Sequence, residues 1–194
     1  VTISGGGTTV TSPAAIVTVN VPGTSRLVNV STRGSVTAQD ALTPGFVMRG
    51  SGTKRLVLRA IGPTLNNFGV PGALTDPRMN VIPLGGANAI LSNDDWQTAP
   101  AGDVNALVTT SDAVGAFPLP TGSKDSAALA TLQVAGSGGY TVQITPAGAA
   151  TAGVALAEIY DADPASSPVR LINVSTRGQV TADGLTPGFV IGGT

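Results

Sequence analysis

The sequence predicts an all-β protein: an antiparallel β-sandwich, jelly-roll-like, with an N-terminal β-hairpin and a partial repeat at its C-terminal end. Three observations predict it. Apolar residues recur with period two in short runs, as strands with one buried face require. The runs are cut at short intervals by turn residues, from a supply of 26 Gly and 14 Pro among 194 residues. No long stretch carries the 3.6-residue period of an amphipathic helix, so layered sheets are the architecture left.

The elements follow in order. Residues 1–20, VTISGGGTTVTSPAAIVTVN, alternate on both sides of Gly5–Gly7. The expected hairpin sets Val1 and Ile3 against a second strand around Ile16–Asn20. Val21-Pro22-Gly23 is a linker, and Leu27–Ser31 a strand. Thr43-Pro44-Gly45 offers Pro and Gly where a type II turn wants them. Phe46–Arg49 leads through Gly50–Gly52 into Lys54–Ile61. There Leu56, Leu58 and Ala60 share one face and Arg55, Val57 and Arg59 the other, which reads as a half-buried strand with a mixed outer side. Gly62-Pro63 ends that run, and Thr64–Phe68 suits a single helical turn. Further strands are expected at Met79–Leu84, Ala89–Ser92, Ala127–Val134, Tyr140–Thr145 and Val154–Tyr160. Helix propensity competes over Asp125–Leu132, but the clear alternation of Tyr140, Val142 and Ile144 after GSGG favours strand.

A repeat organises the chain. RLVNVSTRG at 26–34 returns as RLINVSTRG at 170–178, and LTPGFVMRGS at 42–51 as LTPGFVIGGT at 185–194. Leu27 and Leu171 lie 171 − 27 = 144 positions apart, and Leu42 and Leu185 lie 185 − 42 = 143 apart. A period of that size is domain-sized. Three segments result: 1–23, a terminal hairpin and linker; 24–169, a complete sandwich; and 170–194, the opening of a second repeat. Residue 1 is Val, and the chain reads as a processed or partial piece of something larger.

Residues 26–80 closely resemble the tandem repeats of large bacterial secreted and surface proteins. Those repeats carry RLxNxSTRG, then GFVIxGxGxK, then RAIGPxLxxFGVxGxLxDP. NDDWQ at 93–97 and GVALAEIYDAD at 153–163 belong to the same resemblance, which spans about 26–194. Residues 79–160 are also similar in layout to pre-peptidase C-terminal domains, and residues 1–20 to the end of an immunoglobulin-like domain. The repeat resemblance implies tandem sandwich modules on extracellular or cell-surface proteins. It supplies no catalytic residues.

Composition narrows the chemistry. Net charge is −1, only 11% of residues are charged, and no basic stripe points to nucleic acid. The longest small-apolar stretch, AGAATAGVALA at 147–157, is too short to span a membrane. The chain has no Cys, no His and a single Glu, Glu158. Thiol chemistry is excluded, and little remains for acid–base catalysis, so an enzyme is not expected. Ser51-Gly52-Thr53-Lys54 matches S-x-x-K but sits in a turn before a strand, with no SDN or KTG to follow.

No cofactor is expected, calcium being the one candidate ligand. Asn93, Asp94 and Asp95 form one oxygen-rich group, Asp161 and Asp163 another, and hard cations want several such ligands. The competing role is turn capping by their own side chains. Trp96 beside them suits a sugar platform, but a lone tryptophan fits a sandwich core better. Asn29 and Asn173 head N-x-S sequons within predicted strands. Arg33 and Arg177 precede Gly in both copies, as turn arginines or as bridges to a neighbouring carboxylate.

The tail carries the main functional expectation. Its strands lack the partners that Lys54–Ile61 and later strands give the first copy, and open strand edges recruit other strands. Leu171, Ile172, Val174, Phe189, Val190 and Ile191 are the expected self-assembly residues. They can fold back on the first sandwich or complete a neighbouring subunit. The expected function is structural: a module or subunit of a surface fibre assembled head to tail by strand pairing, a homopolymer. The alternative is a glycan- or calcium-binding module of a secreted protein.

Overall fold

The computed structural model describes residues 2–5, 8–11, 25–98, 101–134, 138–182 and 184–193, with the backbone alone at 2–5, 8–11, 101 and 102. The strands are β1 (Thr2–Gly5), β2 (Thr8–Thr11), β3 (Arg26–Thr37), β4 (Thr43–Arg49), β5 (Thr53–Ile61), β6 (Pro77–Pro83), β7 (Leu91–Asn93), β8 (Ser126–Gln133), β9 (Gly139–Pro146), β10 (Ala152–Asp161), β11 (Arg170–Arg177) and β12 (Thr186–Gly192). One 3-10 turn (Pro63–Phe68) and one helix, α1 (Ala101–Ala113), complete the described elements.

Strands β3 to β10 make a jelly roll. They fill two antiparallel sheets in the orders β3-β10-β5-β8 and β4-β9-β6-β7. Between the sheets lies one core in which Leu56, Leu58 and Ala60 of β5 join Met79, Val81, Ile144 and Ile159. The alternation read from the sequence is this inward face. Gly153 lets β10 run against the 72–74 loop: Leu74 N–H donates to Val154 O and Val154 N–H to Gly72 O, each at 2.8 Å. A Cβ at 153 would lie 2.5 Å from Leu74 Cα, so only glycine fits there without moving backbone.

The structure corrects four expectations. First, β1 pairs with Thr8–Thr11, directly after the glycines; residues 16–20 lie outside the described residues. A tight turn needs no intervening eight residues to reverse the chain. Second, Thr43-Pro44-Gly45 is not a turn but the start of β4. Gly45 pairs with Thr141 on one side and Ser175 on the other, and the ladders on both edges override local turn preference. Third, β3 runs to Thr37, well past Ser31, because β10 pairs with it along that length.

Fourth, the outer side of β5 is solvated only at its start, where Thr53 and Arg55 are exposed. Val57 and Arg59 are buried, because α1 and the 114–121 segment cover them. Helix α1 has no counterpart in the sequence reading. Its Leu-Val-Thr-Thr run at 107–110 favours strand locally, yet Val104 and Leu107 pack on Val57, Trp96, Ala127 and Tyr160. Tertiary burial decides the conformation here. Trp96 is a core residue, as its solitude suggested, and its indole N–H donates to Pro120 O at 3.3 Å.

Candidate functional site: the repeat-to-repeat seam

The tail does not dangle. β12 extends the first sheet beside β3, and β11 extends the second beside β4. The second copy therefore completes the edges of the sandwich to which it is joined, one strand per sheet. β12 is the repeat equivalent of β4, yet it pairs with β3. β11 is the equivalent of β3, yet it pairs with β4. The two copies have exchanged partners.

The exchange holds residue for residue. One ladder pairs Arg177 with Thr43, Thr176 with Pro44, Ser175 with Gly45, Val174 with Phe46, Asn173 with Val47, Leu171 with Met48 and Arg170 with Arg49. The other pairs Arg33 with Thr186, Thr32 with Pro187, Ser31 with Gly188, Val30 with Phe189, Asn29 with Val190, Leu27 with Ile191 and Arg26 with Gly192. Replacing each residue of one set of seven pairs by its counterpart in the other copy yields the other set. Even the irregularity recurs: the first ladder skips Ile172, and the second skips Val28, its equivalent.

Equivalent residues also meet one another, which places them at a local two-fold axis. The Thr32 and Thr176 hydroxyls hydrogen-bond at 2.9 Å, so the buried Thr32 hydroxyl is satisfied by its own counterpart. Ser35 and Gln179, also equivalent, form an antiparallel bridge. Gly34 and Gly178 pack against the same two side chains, Leu42 and Leu185, which are themselves a repeat pair. A Cβ on Gly34 would lie 2.7 Å from Leu185 Cδ1, and one on Gly178 3.0 Å from Leu42 Cδ1. The glycine of STRG is thus set by close approach across the seam, Gly34 lying within β3 rather than in a turn.

The six expected assembly residues divide. Leu171 is buried and Val174 partly so, both against the main core. Ile172, Phe189, Val190 and Ile191 are exposed. Thr32, Gly34, Leu42 and their counterparts hold the seam and were absent from the sequence expectation. Their one signal was identity between the copies at small or apolar positions. Which repeated residues would touch depended on how the chain folds back.

The acidic candidates are engaged by cations of the chain itself. Lys54 Nζ is buried and lies 2.6 Å from Asp161 Oδ1 and 3.2 Å from Asp163 Oδ2. It also donates to Val169 O at 3.0 Å. Arg26 Nη1 approaches Asp161 Oδ2 at 3.4 Å. At the other group, Arg78 reaches Asp94 at 3.0 Å and Lys124 reaches Asp95 at 2.7 Å. The Asn93 side chain donates to Asp95 O and accepts from Ala127 N–H, stitching β7 to β8. Among the described residues no three acidic side chains gather, and an ammonium stands where a calcium ion would have to sit between Asp161 and Asp163. Calorimetric titration with calcium is therefore expected to show no heat and no thermal shift. Of the sequons, Asn173 is exposed on an edge strand, whereas Asn29 lies between β10 and β12 with its amide donating to Ile159 O at 3.3 Å.

A second charged group lies under α1. Arg59 donates to Phe117 O at 2.7 Å, stacks over the Phe117 ring and faces Glu158 at 3.1 Å. Tyr160 donates its hydroxyl to Glu158 at 2.8 Å. Burial pushes the Glu158 carboxyl above its ordinary range, with Arg59 and Tyr160 opposing. Burial, joined by the neighbouring Glu158 charge, raises the Tyr160 phenol above its ordinary 10.0. Unfolded chains then lose the phenol proton first, so stability falls as pH rises from about 10. Denaturant melts across pH 8 to 11 should show this decline, and Tyr160→Phe should flatten it while costing about 1–3 kcal/mol at neutral pH through the unpaired Glu158 oxygen.

No family model, no curated protein and no solved structure matches this chain.

Proposed function

We propose that this chain is a structural module of an extracellular or cell-surface repeat protein, part of a fibre in which β-strand pairing joins successive repeats two by two. One observation carries the reading. The opening strands of the second copy close both sheet edges of the first sandwich in matched registers. The pairing itself is made within the chain, so a single polypeptide holds its own joint without a neighbouring subunit.

The physics of that joint suits a structural part. Each ladder satisfies backbone N–H and C=O groups that an open edge would offer to other chains. Burial of Leu171 alone contributes roughly 1.5–3 kcal/mol, and Val174 and Leu185 add to it from partly buried positions. Immunogold electron microscopy of the producing cells, with an antibody against the 25–193 region, tests the proposal. Label along surface fibres is expected; label confined to the cell interior overturns it.

A further inference from the structure

Three apolar positions behave in opposite ways in the two copies. Val36 is 0% exposed and its equivalent Val180 78%; Phe46 is 1% and Phe189 72%; Met48 is 2% and Ile191 55%. In the first copy these residues face a core built by β5 to β10. In the tail they occupy the same places in the repeat, and among the described residues no such core covers them. The outer edges of β11 and β12 are open too, as each is the last strand of its sheet.

We infer that the exposed face of the tail is the docking surface for the body of a second repeat, a β5-to-β10 unit like residues 53–161, and that two repeats close into a pair with local two-fold symmetry. The occupant follows from the registers. β3 has β10 on one edge and β12 on the other, and β4 has β9 on one edge and β11 on the other. β11 and β12 already hold the seam side of that pattern. Their free edges correspond to the edges at which β3 receives β10 and β4 receives β9. A second body placed there gives each sheet four strands from each repeat, eight in all, running unbroken across the axis. Val180, Phe189 and Ile191 then enter a second core, as Val36, Phe46 and Met48 enter the first.

The pair closes on itself. Once the second body is docked, both edges of all four exchanged strands are filled, and a third repeat finds no seam to join. Contacts related by a two-fold do not propagate. A fibre of such repeats is thus a string of paired beads, with its growth contacts elsewhere on the surface.

This inference rests on the chain being a repeat module, but its test reads the seam directly, so immunolabel in the wrong compartment would leave it standing. Residues 52–169 are appended after Thr194 to complete the second repeat, and Phe189→Cys is introduced in both the native and the extended chain. The chain has no other cysteine. Thiol labelling at position 189 is expected to slow at least a hundredfold on extension, with the extended protein a compact monomer by small-angle scattering. Equal labelling rates, or two beads on a flexible tether, overturn the inference. So does dimerisation of the native chain that protects position 189, since a second copy would then be the occupant. If the extended protein does not fold, the native chain still decides. Ser35→Cys with Gln179→Cys should form an intrachain disulfide across the axis, because bridge partners lie within disulfide reach. Failure to form it sinks the exchange on which the docking depends.

Discussion

Lys54→Met should lower the melting temperature by on the order of 10 °C, the largest loss expected from any single side chain in the molecule. The ammonium has no exposure, and neither does Asp161 beside it. Methionine fills a similar volume on a face already shared with Leu56 and Leu58, so packing is kept. What is lost is the cation that makes a buried carboxylate tolerable. Arg26 remains, but at 3.4 Å and on the other oxygen of Asp161. Breaking a buried pair on one side costs about 3–5 kcal/mol, because the charge left behind is neither solvated nor paired. Replacing both charges is a different experiment. Lys54→Met combined with Asp161→Asn should recover more than half of that loss, since Asp163 is nearer solvent and the amide introduced in place of the Asp161 carboxylate carries no charge to compensate. A double-mutant cycle by thermal and denaturant melts measures this coupling. Additive single effects would show that Lys54 acts through packing instead.

This ion pair also shows where the sequence was legible and where it was not. The jelly roll could be read because each inward face is written locally: Leu56, Leu58 and Ala60 alternate, and so do Tyr140, Val142 and Ile144. The 3-10 turn could be read because Gly62-Pro63 breaks the strand before it. Lys54 could not be placed in the core. Its partner lies 107 positions on, 161 − 54, and a lysine at the head of a strand is ordinarily a solvated end. Asp161 and Asp163 looked like cation ligands for the same reason. The cation they hold is covalently part of the chain, which composition cannot reveal. Helix α1 was missed because much of its stability comes from Val57 and Tyr160, both more than 40 positions away in sequence. The seam was half legible. The repeat announced that two strands would seek partners, and folding back on the first sandwich was one of the two ways to find them. The exchange of partners was hidden, because identical strings give no sign of which copy pairs with which.

Removal of residues 170–194 tests how much the molecule needs that exchange. The shortened chain is expected to lose several kcal/mol and to become concentration-dependent in its stability. Two ladders of seven pairs vanish together, and Leu171, Val174 and Leu185 leave the core they cover. That is a large share of the 5–15 kcal/mol by which folded domains are stable. It also leaves β3 and β4 as long open edges, with Leu42 and the Thr32 hydroxyl unshielded. Such edges recruit strands, and the strand each one fits is known from the seam: β3 takes a TPGFV strand, and β4 takes an RLxNVSTR strand. A second shortened copy carries both. Two copies can therefore pair β3 with β4 and β4 with β3 in the registers of the intact chain, with Ser35 facing Ser35 on a true two-fold axis. Sedimentation should show a dimer that melts higher as concentration rises, and Ser35→Cys should crosslink it. A shortened chain that stays monomeric and melts with the 194-residue chain would mean the tail merely rests on edges that are stable without it, and the sandwich would then owe nothing to its second copy.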